Sequence, residues 1–370
     1  MNMGKRNIRV LLTGGGTGGH IYPLVAVAEE FIKIKDVNAR INYLGPKSDL
    51  NEEFERRGIK ISLMLSSKLR RYFDLRNFID VPKFFLSLLQ ALAKLYFLMP
   101  DVIFSKGGPG ALAVVLAARF YFIPVVIHES DAVPGLTNRI SAFFASKILI
   151  SFAGAETYFK KSKVVFSGNP IRSGLFEDII PLSEAKKRLG FGGDEPLILV
   201  LGGSQGSVRI NNFIIDNLES LTSLAQIYHQ TGINNFIEVG KAVPVPPKQY
   251  KASAYFDIVG LRQALNAADI VISRAGAGAI YEIAAFGKPS ILIPLKESAG
   301  DHQRANAYEY ARMGACEILE EDNFKINILI TAVKDILKNG DRYQNMREKI
   351  SQFFKRDAAR TIAEEIIKLA

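Results

Sequence analysis

One cysteine, Cys316, serves a chain of 370 residues. That excludes an internal disulfide framework and fits a reducing compartment. Histidine is scarce too, at four. No group of Asp, His or Cys has metal-ligand spacing, so no protein-held metal and no cofactor is expected. The amino-terminal MNMGKRNIRVLL carries charge but only a brief apolar run before glycine, too short for a secretory signal. No stretch offers about 18 uninterrupted apolar residues, which argues against a spanning helix. Low-complexity tracts and short repeats are missing as well.

What is present is globular: 48% apolar and 23% charged residues, on a chain long enough for two cores of ordinary size. The net charge of +10 favours an anionic partner. Nucleic acid, a phospholipid surface and a phosphorylated substrate all qualify, and charge alone does not choose.

Short apolar runs alternate with helical patterns. Strands are predicted at Ile8–Leu12, Ile41–Leu44, Asp101–Ser105, Val125–His128, Ile148–Ser151 and Val164–Ser167. After a turn-rich stretch the pattern restarts at Leu197–Leu201, Ala225–His229, Asp257–Val259, Ile270–Ser273 and Ser290–Pro294. Near-continuous Val/Ile/Leu strands separated by helices predict parallel sheets covered on both faces. Two such series predict an α/β protein of two doubly wound, Rossmann-like domains facing a central cleft. The expected division is 1–170 and 171–354, with a final helix over 355–370 packing back on the first domain.

Each series opens with a strand, a glycine-rich turn and a helix. In LLTGGGTGGH, Gly14, Gly16 and Gly19 satisfy G-x-G-x-x-G, a device that presents backbone N–H groups and a helix terminus to a phosphate. A nicotinamide or flavin fold also needs an acid at the end of the second strand. Here INYLGPKSD has none until Asp49, which weakens that reading. His20 falls in the first helical turn, where the dipole disfavours imidazolium, and is a credible general base. A capping or packing role is its bland alternative.

In the second half, LGGSQGSVRINNF repeats the device, with Ser204, Gln205 and Ser207 adding donors. Further on, SRAGAGAIYEIAAFGKP runs from a buried strand through small residues into a helix bearing Glu282, suited to ribose hydroxyls. DHQRANA then carries Asp301, Gln303 and Asn306. Two anion-binding turns beside a sugar-compatible helix suggest a nucleotide-sugar site.

With GGGTGGHIYP, HESDAVPGLTNR, SGNPIR, GGSQGSVRIN, SRAGAGAIYEIAAFGKP and DHQRANA in order, the chain resembles the bacterial N-acetylglucosaminyltransferases that make lipid II, of glycosyltransferase family 28. The resemblance runs to about Leu319. It implies a GT-B fold, with acceptor and membrane binding in the first domain and donor binding in the second. It implies inverting transfer of N-acetylglucosamine from its UDP derivative to the 4-hydroxyl of undecaprenyl-diphosphate-linked muramyl pentapeptide (lipid I), for peptidoglycan synthesis. UDP-N-acetylglucosamine, lipid I and an anionic inner-membrane surface are the implied partners, with no nucleic acid. The implied location is peripheral, on the cytoplasmic face of the cell membrane.

Carried over position by position, Thr17, Gly18 and Gly19 face donor sugar and acceptor diphosphate, and Arg172 belongs to the UDP-sugar site. Ser204 contacts phosphate, and the backbone at Ile258 reads uracil. Ala277, Gly278, Ala279, Ile280, Tyr281 and Glu282 form the sugar and ribose segment, with Gln303 near the transferred sugar. Gly15, Gly16, Gly107 and Gly108 fall to the acceptor diphosphate. Three departures stand out: Asp131 where asparagine is usual, Ala279 where threonine is common, and KGGPGA (106–111) in place of GGYVSGP. As base, His20 is preferred, with His128 and Glu129 in reserve.

A membrane patch is expected on the segment from Lys68 to Pro100, at Arg71, Phe78, Lys83, Phe84, Phe85 and Leu88, where cations flank aromatics. A core-facing helix is the alternative. The rival functions are a related GT-B transferase with another lipid-linked acceptor, a Rossmann oxidoreductase, and a non-catalytic nucleic-acid or phospholipid-binding module.

Overall fold

The structure is a computed structural model that describes residues 5–66, 77–203 and 205–370, without the side chains of 77–79 and 299. It divides into two compact units, Met1–Arg172 with Lys355–Ala370, and Ser173–Phe354.

The first unit holds a parallel seven-stranded sheet in the order β3-β2-β1-β4-β5-β6-β7. Its strands are β1 (Arg6–Thr13), β2 (Val37–Gly45), β3 (Lys60–Leu63), β4 (Val102–Ser105), β5 (Val125–Glu129), β6 (Lys147–Ile150) and β7 (Val164–Phe166). Strand β1 is exposed and polar at its start and turns apolar from Val10 to Leu12, where both faces are covered. Val10 and Leu12 point into one core, against Leu24, Val27 and Phe31 of helix Gly18–Lys33. Leu11 points into the other, against Ala91 and Leu95 of helix Asn77–Leu98. With both faces covered, each such side chain contributes about 1.5–3 kcal/mol by burial. The carboxyl-terminal helix Ala358–Ile367 buries Ile362 and Ile366 in the first of these cores.

The second unit holds a parallel six-stranded sheet in the order β10-β9-β8-β11-β12-β13. Its strands are β8 (Leu197–Leu201), β9 (Gln226–Gln230), β10 (Tyr250–Ser253), β11 (Ile270–Ser273), β12 (Ser290–Leu292) and β13 (Cys316–Ile318).

In each sheet the strand order reverses once, between β1 and β4 and between β8 and β11. Loops diverge there, and the carboxyl ends of the flanking strands form a natural ligand crevice. Both glycine-rich turns follow the strands at these reversal points.

Three strands escaped the sequence pattern: β3, β10 and β13. All are short and lie at a sheet edge, where half-polar composition hides them. The strand expected at Asp257–Val259 is a helix start instead. Asp257 caps helix Ile258–Ala267, its carboxylate accepting from Gly260 N at 2.7 Å.

Candidate active site

In the first unit, β1 runs into Gly14, Gly15 and Gly16 before helix Gly18–Lys33. The loop after β4 lies against it, because Lys106 N donates to Thr13 O and Gly15 N to Gly107 O, each at 2.9 Å. Gly107 and Gly108 have φ of +79° and +84°, so glycine is required there. A Cβ on Gly108 would lie 2.7 Å from His20 Nε2. Bare backbone thus makes the seat of the imidazole.

His20 Nδ1 is 2.7 Å from the Thr17 hydroxyl. With Nδ1–H donating to that oxygen, Nε2 keeps its lone pair. Burial, and next the charge of Lys106, lower the pKa of His20 to about 4. The ring is neutral at physiological pH, as a proton acceptor must be.

Lys106 itself is 3% exposed. Burial lowers its pKa, while Glu129 and Asp131 oppose that. Glu129 is buried and accepts from Asp131 N at 3.0 Å, Gly135 N at 3.2 Å and Asn138 Nδ2 at 3.0 Å, so it holds the HESDAVPG turn together. Desolvation pushes its carboxyl up to about 7. His128 is fully buried, with Nε2 3.0 Å from Gly168 O and 3.3 Å from Ser151 Oγ. The two reserve bases therefore serve as internal braces, Glu129 through three donors and His128 through Nε2. Arg172 stacks its guanidinium 4.6 Å from the ring centre of Tyr22, on the first helix.

In the second unit, Gly203 and Gly206 take φ of +83° and +79° in the turn after β8. Gly206 is pressed so closely on Thr231 and Gly232 that a Cβ would fall 2.1 Å from Thr231 O. Ser207 caps helix Val208–Asp216, accepting from Ile210 N. Ser204 lies outside the described residues. A buried chain braces the turn from below: Asn211 Nδ2 donates to Thr231 O at 2.8 Å, and Asn211 Oδ1 lies 3.0 Å from His229 Nε2. Nothing in the local pattern marked this network, whose members come from helix Val208–Asp216 and from β9 with the residue after it.

Arg274, one residue beyond β11, donates to Ser207 Oγ at 2.8 Å and pairs with Glu321 at 2.6 Å. Helix Ala277–Ala285 follows. Gly278 is exposed and Ala279 and Glu282 are partly so, whereas Ile280 and Tyr281 are fully buried. Ile280 and Tyr281 thus lie on the inner face of the helix, Tyr281 packing on Phe353 with ring centres 4.6 Å apart, while Gly278, Ala279 and Glu282 lie outward. Gln303 Oε1 accepts from Leu295 N at 3.1 Å, and Asn306 Nδ2 donates to Ala275 O at 3.2 Å, each steadying a loop. Ile258 opens helix Ile258–Ala267, placing first-turn N–H groups beside it.

The expected membrane segment divides between two faces of helix Asn77–Leu98. Phe84 and Leu88 pack against the core, on one stripe with Ala91 and Leu95. The outer side carries Phe85 (61% exposed), Leu89 (63%) and Phe97 (83%). Lys83 is exposed; Arg71 lies outside the described residues, as does the side chain of Phe78. Among the described residues, Asp80–Leu98 is long and apolar enough to cross a membrane, with mean hydropathy 1.3.

The N-terminal domain of glycosyltransferase family 28 matches residues 10–150 and its C-terminal domain residues 197–362. A Clostridium tetani protein named UDP-N-acetylglucosamine–N-acetylmuramyl-(pentapeptide) pyrophosphoryl-undecaprenol N-acetylglucosamine transferase is 36% identical over 345 residues, 92% of this chain and 93% of that one. The chain belongs to glycosyltransferase family 28. A Clostridium kluyveri protein of the same name is 36% identical over 91% of this chain and 93% of its own. The family 28 chain also shares its fold with the crystal structure of Acinetobacter baumannii MurG, at a TM-score of 0.74 and 24% identity, covering 98% and 99% of the two chains. The UDP-GlcNAc 2-epimerase of Neisseria meningitidis, solved with UDP-GlcNAc bound, is similar in fold at a TM-score of 0.70 and 14% identity.

Proposed function

We propose that this chain transfers N-acetylglucosamine from UDP-N-acetylglucosamine to the 4-hydroxyl of the muramyl pentapeptide in lipid I, giving lipid II. The observation that carries the reading is the 36% identity, over 92% of the chain, to a transferase named for that donor and acceptor. As a glycosyltransferase, the chain must supply a base for the attacking hydroxyl and donors for the departing diphosphate.

His20 Nε2 is the proton acceptor. The acceptor oxygen forms a bond to the anomeric carbon as the bond to UDP breaks, with inversion. The electron pair leaves on the β-phosphate and the hydroxyl proton passes to Nε2. Thr17 holds the imidazole in the required tautomer. Such a base contributes about 10²–10⁴ in rate.

The second unit binds the donor. Backbone N–H groups of the turn Gly202–Gly206, with Ser204 and the following helix terminus, receive the diphosphate. Preorganised donors of this kind are worth about 3–4 kcal/mol each in the barrier. Ile258 marks the uracil contact, Gly278, Ala279 and Glu282 the ribose and sugar, and Gln303 the transferred sugar. Arg172 and Asp131, with Thr17, Gly18 and Gly19, complete the donor set. Gly15, Gly16, Gly107 and Gly108 face the acceptor diphosphate.

The acceptor's lipid requires the enzyme to meet a bilayer, and the outer face of helix Asn77–Leu98 supports peripheral docking there. Exposed Phe85, Leu89 and Phe97, with Lys83, suit an anionic phospholipid surface on the cytoplasmic side of the cell membrane.

The test is transfer from labelled UDP-N-acetylglucosamine to lipid I in detergent. A lipid-linked disaccharide is the expected product. UDP binding without product would remove this acceptor from the reading and leave a transferase with another lipid-linked one.

A further inference from the structure

The two sheets carry one feature in common that the proposed chemistry has not used. Strand β4 ends VIFS and β11 ends IVIS, and each is followed by a cation and a small residue: Lys106–Gly107 and Arg274–Ala275. The registers correspond. Ser105 pairs with Thr13 at the end of β1, and Ser273 with Leu201 at the end of β8. Both cations therefore stand at the reversal point of their own sheet, opposite the glycine turn, where ligands of such folds bind.

Their surroundings differ. Arg274 is neutralised by Glu321 and tied to Ser207, so it is part of the fabric of the second unit. Lys106 is as deeply placed, yet among the described residues its ammonium makes no hydrogen bond and no ion pair. Its stem runs beside Gly14, where a Cβ would touch it at 3.4 Å. His20, His128, Glu129 and Asp131 are the titratable groups within its electrostatic reach. Both imidazoles have their pKa lowered, and Glu129 spends its oxygens on the Asp131, Gly135 and Asn138 donors.

A lysine side chain this enclosed, with no direct hydrogen bond or ion pair to its ammonium among the described residues, is costly, and the second unit shows that this fold can neutralise a cation at the same place. An anion arriving with a ligand would supply the missing partner. We infer that Lys106 is the cation that receives a phosphate oxyanion of the acceptor's diphosphate, between the two glycine loops of the first unit. The inference rests on the lipid I reading of the acceptor.

Lys106→Met, Lys106→Arg and wild type are compared as full-length chains. Steady-state transfer to a short-chain lipid I analogue is measured, with calorimetric binding of farnesyl diphosphate and of UDP. In Lys106→Met the acceptor KM and the Kd of farnesyl diphosphate are expected to rise roughly 10-fold or more, as for a lost charge-assisted hydrogen bond. The Kd of UDP stays unchanged, which also reports a folded second unit. Lys106→Arg recovers most of the loss. An unchanged farnesyl diphosphate Kd in Lys106→Met overturns the proposal, and so does a weakened UDP Kd, which would give the ammonium to the donor. If wild type binds farnesyl diphosphate through Lys106 but does not glycosylate the analogue, the acceptor reading fails and the phosphate site stands.

Discussion

The Thr17 hydroxyl and His20 Nδ1 lie 2.7 Å apart, across the first turn of the helix that follows the amino-terminal glycine loop. The hydroxyl of a helix-capping residue is thereby diverted from the backbone to an imidazole, and Thr17 makes no side-chain cap. That exchange gives up a cap worth about 1 kcal/mol and orients a base. Thr17→Val is expected to lose roughly 10-fold or more in kcat with donor saturating. His20→Ala is expected to lose about 10²-fold or more. Single-turnover transfer with both substrates saturating checks the pair, and an unimpaired His20→Ala would send the base elsewhere.

Gly108 tests the seat of the imidazole. A Cβ there would meet Nε2 at 2.7 Å, and its φ of +84° costs an L-residue about 1–2 kcal/mol. Gly108→Ala should thus lower both melting temperature and turnover. Gly240→Ala, at a helical position with open space, should leave turnover intact and the melting point level or higher. Thermal melts alongside the transfer assay separate the two.

Acid stability follows from three histidines whose charged form the fold disfavours. His20 and His229 are held to about 4, and His128 well below its usual value, burial being the main cause. Above pH 6.5 neither folded nor unfolded chain is protonated at these sites. Between about 6.5 and 4 only the unfolded chain binds the protons, so stability falls as pH falls. For His229 the full loss is about 3 kcal/mol. Denaturant midpoints from pH 7.5 to 4.5 should drop steeply below 6.5, and His229→Gln should flatten the curve.

The Arg274–Glu321 pair predicts non-additivity. Both side chains are about nine-tenths buried, at 11% and 8% exposure. Glu321→Gln leaves a buried guanidinium facing a neutral group, at a cost of about 3–5 kcal/mol. The double variant Arg274→Met, Glu321→Gln should cost less than the sum of its parts, as read by chemical denaturation.

Membrane docking predicts a split between the two sides of one helix. Leu89→Ser and Phe97→Ser, on the exposed side, should weaken sedimentation with anionic vesicles by roughly 5- to 30-fold each without lowering the melting point. Leu95→Ser, on the buried side, should destabilise the chain instead. Equal vesicle binding by all three would move docking off this helix.

Much of the fold was legible because its signals are local. A β-branched run, a glycine turn and an amphipathic helix lie within 25 residues of one another, twice over, and ordered motifs carried the family. Strand β3 and strands β10 and β13 were missed because edge strands lack a continuous apolar run. Asp257–Val259 misled because a capping aspartate followed by Ile-Val looks extended until Gly260 is seen to donate back to it.

The site divides along the same line. Residue order alone was enough to place the glycine loops, to set His20 at the start of a helix, and to crowd cations and aromatics into the segment before β4. Packing in three dimensions set that Phe84 and Leu88 turn inward while Phe85 and Leu89 do not, that His128 and Glu129 brace the interior, and that among the described residues Lys106 has no ion pair where Arg274 has one. The reason is range. Backbone pattern is written over three or four neighbours, whereas burial and electrostatic pairing depend on groups tens of residues away, as Arg274 depends on Ser207 and Glu321.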